Sequence, residues 1–441
     1  MSRQVLAALG QRLDERASPL AVLDAYAAGT QPLSFLSPEA RTALAGRIQQ
    51  VSVGIPRLVV STLVERLRVT GFLRDGRPDA GLWRTWTRSD LDQLAPVAHR
   101  EALTLGSSYV VVWAGRDGQA QVSVESPKQV TVARDPATRQ VTAALKRWEA
   151  PAAPGSAAPV QHAVTFEPDT ITRYATDSAG TPATSGAWRV VETIRNPLGV
   201  VPVVPLTNAE RLLDVDGTSE FADVIPLTDA LVKLLSDLLV TSEFYARPRR
   251  WATGVEVPVD EAGLPVNPFA SDADRTWISE APESKFGQFA ATDLAAYEAG
   301  VKVIMQQIVA VTSLPEHVLG VGSDNPTSAD AIRASEAGLT ARAEAKQRSF
   351  GRAWEAVARL AVAVESGVDP VSVDVSVQWA DPTTRSVAQE ADAAVKLVQA
   401  GVLPASEALR RLGYTADDIT RVREARRLDG ATATALTAGG F

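Results

Sequence analysis

At 441 residues the chain is long enough for about three domains, and 45% hydrophobic with 22% charged residues is the composition of a globular protein with a core. It has no cysteine, which excludes disulfides and thiolate metal sites, and its three histidines (His99, His162, His317) lie too far apart for an evident metal cluster. A net charge of −8 and a pI near 5.2 argue against a tight, salt-dependent grip on nucleic acid by the chain as a whole, because neutralising phosphates needs a basic surface.

The N-terminus lacks a charged n-region followed by an apolar run, and nothing approaches the roughly 18 apolar residues of a membrane span. A soluble, intracellular chain is expected. Residues 1–50 alternate helical patterns with breaks at Pro19, Pro32 and Pro38. Ser18-Pro19 and Ser37-Pro38 read as N-cap and first-turn pairs, each opening a short helix. Amphipathic helices are expected over 55–67 and 89–105, the second with Asp90 and Asp92 in its first turn. At Gly106 the period changes. Residues 109–113 read as a buried strand, and strands at 120–125, 129–133 and 141–148 follow at hairpin spacing. After a loop over 151–161, strands are expected at 163–166, 170–174 and 188–194, so that 1–215 reads as one α+β unit, helices first and a meander after.

Residues 196–208 read as a valine-rich connector punctuated by proline. Over 220–245, Leu227, Leu231, Leu234, Leu235 and Leu238 make one helical stripe, with Asp229, Lys233 and Asp237 opposite and Pro226 suiting the first turn or a kink. A second helix, 292–311, aligns Leu294, Tyr297, Val301, Ile304, Met305 and Ile308. Between them, 250–289 carries strand-like pieces at 251–257 and 275–278, so the whole reads as a helical hairpin with a decorated tip. After a loop, Thr327 and Asp330 open a very long helix in capping-box fashion. Its stripe is Ile332, Leu339, Phe350, Trp354, Val357, Leu360 and Val364, and Gly367 with Pro370 ends it, about 55 Å on. Gly338 and Gly351 would let neighbouring helices approach, and its near-balanced charges suit salt bridges between subunits. A single strand at 372–379, helices at 386–400, 406–412 and 416–428, and a flexible end over 430–441 complete the chain.

Catalytic signatures are absent: there is no P-loop, no Gly-x-Ser-x-Gly elbow and no His-Glu-x-x-His. Gly320-Val321-Gly322-Ser323 resembles a phosphate loop only superficially, since it follows a helical pattern and not a strand. His317 reads as a loop histidine packed against a helix end. Asp214, Asp216, Glu220 and Asp223 cluster ahead of the first long helix; a divalent-metal site is conceivable there, and attraction to the helix N-terminus is the simpler account. Arg421, Arg423, Arg426 and Arg427 form the densest basic cluster, read as a solvated helix face, with contact to phosphates or an acidic partner as the alternative. No catalytic residue, cofactor or metal is expected.

Three runs carry a resemblance: Gly-Thr-Ser-Glu-Phe-Ala-Asp-Val-Ile-Pro-Leu at 217–227, Ser-Glu-Phe-Tyr-Ala-Arg-Pro-Arg-Arg-Trp-Ala-Thr-Gly at 242–254, and Asn-Pro-Thr-Ser-Ala-Asp-Ala-Ile-Arg-Ala-Ser-Glu at 325–336. With Arg-Ser-Phe-Gly-Arg-Ala-Trp-Glu at 348–355, they make 195–380 similar to portal proteins of tailed double-stranded DNA bacteriophages, of the kind found in long-tailed phages of actinobacteria. The resemblance implies a ring, usually of twelve subunits, at one capsid vertex of a virion assembled in the host cytoplasm. Double-stranded DNA passes through it without sequence specificity. Implied partners are the terminase large subunit, a head–tail adaptor and the major capsid or scaffold protein, with no membrane.

The implied fold is a helix-rich α+β portal architecture. A wing would span 1–218, stem helices 219–249 and 290–313, a clip 250–289, a tunnel loop 314–327, a spine helix with a wing return strand 328–384, and a crown 385–441. Val321, Gly322, Ser323, Asp324 and Asn325 would face the channel; having no Lys or Arg, they suit DNA that must slide. Trp251, Glu256, Asp260, Asn267, Phe269 and Trp277 would meet clip partners. Arg333, Glu336, Arg342, Arg348, Arg352 and Trp354 would lie between subunits, and the four crown arginines form a basic cluster. The alternatives are another oligomeric virion protein such as an adaptor, or an enzyme with an unrecognised site.

Overall fold

The computed structural model of the chain describes residues 2–32, 52–115, 117–150, 160–176, 188–246, 250–254, 263–264, 282–288, 294–320, 329–383 and 387–438. Two compact units are present. The first comprises Met1–Gln31, Gly54–Ile225 and Val311–Phe441; the second holds Pro32–Val53 and Pro226–Ala310.

In the first unit α1 (Ser2–Ala28) runs unbroken through Pro19, where a break was expected. Leu6, Leu9, Leu13 and Leu20 are buried along one face. Ser18 and Pro19 lie on the exposed face, so the carbonyl that loses its partner to the proline remains open to water. Helix α2 (Ile55–Val64) and the short strands β1 (Val69–Arg74) and β2 (Arg77–Pro78) follow. Asp79 caps α3 (Ala80–Arg88), its carboxylate accepting from the amides of Gly81 and Leu82 at 2.8 and 3.0 Å. Helix α4 (Leu91–Leu105) then leads into the β region.

Strands β3 (Ser107–Ala114), β4 (Ala120–Glu125), β5 (Val130–Arg134), β6 (Val141–Ala150), β7 (Val160–Phe166), β8 (Thr170–Thr176), β9 (Trp188–Arg195) and β10 (Val203–Thr207) form two sheets. Five of them keep the expected meander order, β5-β6-β7-β8-β9, while β3 and β4, expected in the same meander, lie in a separate sheet of order β10-β3-β4. The segment read as a connector therefore supplies a strand, with Val203 opposite Val111 and Leu206 opposite Ser108. Its Pro205 is tolerated because β10 is an edge. The leucines of α1 pack on Ala143, Leu145, Ala163 and Tyr174 of the meander.

The second unit is a hairpin. Helix α5 (Ile225–Ala246) and helix α6 (Ala295–Thr312) flank β11 (Arg250–Thr253) and β12 (Lys285–Gln288), which pair antiparallel. Between the helices, a Cβ on Gly300 would lie 3.1 Å from Leu234, and the Thr241 hydroxyl bonds the Tyr297 hydroxyl at 3.3 Å. The strand piece expected at 275–278 lies outside the described residues, and the partner of β11 is β12. Trp251 faces Gly287 across the ladder, and a Cβ there would fall 2.5 Å from the indole.

Back in the first unit, α7 (Ala329–Ser366) is 38 residues, about 57 Å long. Strand β13 (Val375–Trp379) returns to pair antiparallel with β1, Val377 opposite Phe72. Helices α8 (Val387–Gln399), α9 (Ala405–Arg411) and α10 (Ala416–Ala438) end the chain. The last continues through Gly430, where a flexible end was expected. A lone glycine costs a helix only about 1 kcal/mol, and the flanking alanines support it.

An aromatic core joins these elements. Trp354 of α7 meets Trp86 of α3 edge-on at 4.9 Å, and Trp86 meets Phe72 of β1 at 5.4 Å. His99 of α4 stacks on Phe350 at 5.3 Å and accepts the Trp354 indole N–H at 2.8 Å. Gly351 is the point where β13 approaches α7, since a Cβ would lie 3.2 Å from Val377 and 3.3 Å from Trp379. Burial lowers the His99 pKa from 6.5 to about 3, and the Leu67 backbone offsets only part of that.

Truncating Trp354 to alanine should lower stability by about 3–5 kcal/mol, read as a drop in the thermal midpoint. His99 stays neutral when folded, whereas the unfolded chain takes up its proton near pH 6.5. Its contribution is therefore complete above that pH and is lost as pH falls toward 3, by up to about 1.4 kcal/mol per unit. The stability of His99→Gln, measured from pH 7 to 5, should fall less steeply than that of the parent.

Candidate functional site

The side chain of Glu220 is 0% exposed, yet it is charged. One carboxylate oxygen accepts from the Arg342 guanidinium at 2.5 Å, the other from the Lys346 ammonium at 2.8 Å and the Asn208 amide at 2.9 Å. Lys346 also donates to the Asn208 carbonyl oxygen at 2.6 Å, and the Asn208 amide donates to the Thr218 carbonyl at 2.8 Å. Burial pushes the Glu220 pKa upward. The attraction of Lys346 and then Arg342, with hydrogen bonds from Lys346 and Asn208, outweighs it, so the carboxyl titrates below its ordinary range.

Local backbone fixes this carboxylate in place. The Glu220 amide donates to the Leu103 carbonyl at 2.8 Å, and Asn208 donates to Gly106 at 2.8 Å. Gly106 and Gly217 both hold positive φ, +88° and +76°, and a Cβ on Gly217 would overlap the Gly106 carbonyl; only glycine allows the two backbones to touch there. Arg342 makes a second bond, to the carbonyl of Thr312, the last residue of α6. One turn earlier Gly338 admits Ser313, whose Cβ would be 3.1 Å from an added one. The stretches just before α5 and just after α6, where the chain passes between its two units, are thus held by Gly338, Arg342 and Lys346 of α7. Glu220 was read in sequence as a helix-start carboxylate or a metal ligand and not as an ion-pair partner, because its cations lie more than a hundred positions away.

The other acids of that cluster turn elsewhere. Asp214 accepts from the Thr218 hydroxyl at 2.8 Å, and Asp216 pairs with Arg12 and Arg16 at 2.7 and 3.2 Å. Among the described residues no three His, Asp or Glu side chains gather as a metal site, and no helix is long and apolar enough to cross a membrane. His317 lies 3.9 Å from Glu336, which also pairs with Arg66 at 3.1 Å.

Three of the residues expected between subunits have partners in their own chain. Trp354 is in the aromatic core, Glu336 is buried against Arg66, and Arg342 serves Glu220 and Thr312. The apolar and charged stripe of α7 faces inward because its own unit wraps it. Gly338 and Gly351 likewise admit segments of the same chain. Arg348 and Arg352 are exposed, and Arg333 is half-buried with a partner. Of the clip residues Trp251 is described, partly exposed on β11; Glu256, Asp260, Asn267, Phe269 and Trp277 lie outside the described residues, as do Val321, Gly322, Ser323, Asp324 and Asn325. Arg421, Arg423, Arg426 and Arg427 are all exposed on α10, with Arg421 paired to Asp418.

Removing one partner leaves a buried charge uncompensated. Arg342→Met should cost about 3–5 kcal/mol in denaturant unfolding and speed amide exchange over 208–220 and 312–318. An unchanged exchange pattern would refute this role of Arg342.

A family profile described as "Phage portal protein, SPP1 Gp6-like" matches residues 34–430. The portal protein of Mycobacterium phage L5 is 33% identical over 392 residues, covering 84% of this chain and 78% of that one. The portal protein of Mycobacterium phage D29 is 35% identical over 398 residues, covering 86% and 78%. A chain of the solved structure "Virion of native gene transfer agent (GTA) particle" shares 14% identity at a TM-score of 0.45, over 85% of this chain and 92% of that one. With the profile spanning most of its length and two relatives above 30% identity, the chain belongs to the SPP1 Gp6-like family of phage portal proteins.

Proposed function

We propose that twelve copies close into a ring at one capsid vertex, assembled in the host cytoplasm, and that double-stranded DNA enters and later leaves through its channel. The observation that carries this reading beyond family membership is the hairpin of α5, β11, β12 and α6 followed by the 38-residue α7. These are the parts a stem, a clip and a spine require. On this reading 1–218 with β13 is the wing, 250–289 the clip, 314–327 the tunnel loop and 385–441 the crown. The clip, including Trp251, Glu256, Asp260, Asn267, Phe269 and Trp277, meets the terminase large subunit and then the head–tail adaptor. The outer wing meets capsid or scaffold protein. Family membership implies no enzymatic role.

Electrostatics support a passage without capture. The residues 321–326, Val-Gly-Ser-Asp-Asn-Pro, include no cation, and the chain is acidic overall. Phosphate-neutralising contacts would bind DNA with strong salt dependence and hold it in place. Negative-stain images of purified protein should show rings with a central hole. Deleting 320–326 should leave those rings intact while lowering packaged or retained DNA in particles; loss of the rings would make the loop structural and remove its channel role.

A further inference from the structure

A cleft of about 950 Å³ opens in the first unit between α7, the β5–β6 hairpin, β10 and the loop after it. Three large apolar side chains stand at its mouth almost fully in water: Leu212 at 79%, Leu213 at 89% and Val371 at 81% exposure. The loop that displays the leucines is ordered by its own bonds. The Asp214 amide donates to the Arg211 carbonyl at 3.1 Å, that of Val215 to Leu213 at 3.0 Å, and the Thr218 hydroxyl holds Asp214 at 2.8 Å. Clustered exposed apolar groups on a held loop mark a surface that another molecule covers.

Charge says what kind of molecule. The cleft is lined by six arginines and two aspartates on a chain whose total is −8; Arg12 is paired to Asp216 and Arg352 to Glu355, and the other four arginines against the two aspartates still leave the cleft basic. Inside it, Arg134 gives one bond to the Thr207 hydroxyl at 3.1 Å, and its Nε–H finds no acceptor among the described residues. The exposed guanidiniums of Arg139 and Arg211, which also line the cleft, suit an incoming carboxylate or phosphate. The apolar mouth selects against phosphate, and a cavity of this volume cannot seat a duplex. The remainder of a second copy is both protein and strongly acidic. A closed ring also needs two different, complementary patches on each subunit, one of them receptive.

We propose that this cleft is the receptive half of the contact between neighbouring copies, taking an acidic, apolar-flanked surface of the next subunit; the inference rests on the ring reading above. Arg352, exposed on α7 at the edge of the cleft, then contributes to that contact, whereas Trp354 and Glu336 do not.

The chain has no cysteine, so a single Leu213→Cys can carry a benzophenone maleimide. Irradiating purified assemblies with added double-stranded DNA should give covalent dimers of the chain, with the adduct mapped to an acidic segment of the second copy. Leu212→Asp/Val371→Asp should keep the parent thermal midpoint, since both side chains are in water. It should raise the protein concentration needed for rings on the order of tenfold or more in mass photometry. Parent-like rings from that variant, with adducts confined to one copy, would overturn the cleft assignment and leave the ring standing. Adducts on DNA alone would overturn it in favour of a nucleic-acid surface. If the unsubstituted chain forms no rings at any concentration, the ring reading falls and the cleft assignment with it.

Discussion

A carboxylate shut away from water has to be neutralised by the fold itself, and Glu220 is neutralised from one place, the α7 ridge of Arg342 and Lys346. Desolvating these charges is expensive, so the arrangement holds only while all partners are present and every oxygen is bonded. That condition draws in Asn208, Thr218 and the touching backbones of Gly106 and Gly217 on one side. On the other it draws in the carbonyl that ends α6. The stretches of the first unit that lead into α5 and out of α6 are therefore held by electrostatics.

The same ridge continues along α7. Positions 338, 342, 346, 350 and 354 follow the four-residue spacing that forms a row on a helix surface. Along it the chemistry changes from Gly338, where backbone comes close, through Arg342 and Lys346, to Phe350 and Trp354 in the aromatic core. One element thus carries the tie to the stretches beside α5 and α6 at its first half and the tie to α3, α4 and β13 at its second. For a protein proposed to sit under the load of a packaged genome, a helix anchored on one side at every turn offers little compliance, while its outer face keeps Arg348 and Arg352 for other work.

Charge is partitioned just as unevenly. The cleft concentrates arginine beside exposed leucine and valine, the candidate channel residues carry none, and the chain as a whole is acidic. A protein meant to bind DNA along its length would spread cations over one face. Here several pair with carboxylates, in the same chain at Glu220 and Asp216 and, on the reading proposed above, in the next copy.

Elements with a local period were legible in the residues themselves. The leucine stripe of α5, the alternating meander of β5 to β9 and the length of α7 follow from spacing within a few turns or strands, as does the helical hairpin, whereas β12, the partner of β11 at its tip, was not among the expected strands. The family was legible too, from runs such as 217–227. Tertiary structure decided what periodicity leaves open: which side of a stripe meets its own chain. Trp354 finds His99 across 255 positions and Arg66 finds Glu336 across 270, so residues suited to a subunit contact became core. Pro19 stayed inside a helix because its bare carbonyl faces water, and 203–207 became a strand because β3 offered an unpaired edge. Local sequence determines which conformations are cheap, whereas burial and charge neutralisation depend on groups brought together only when the whole chain has closed.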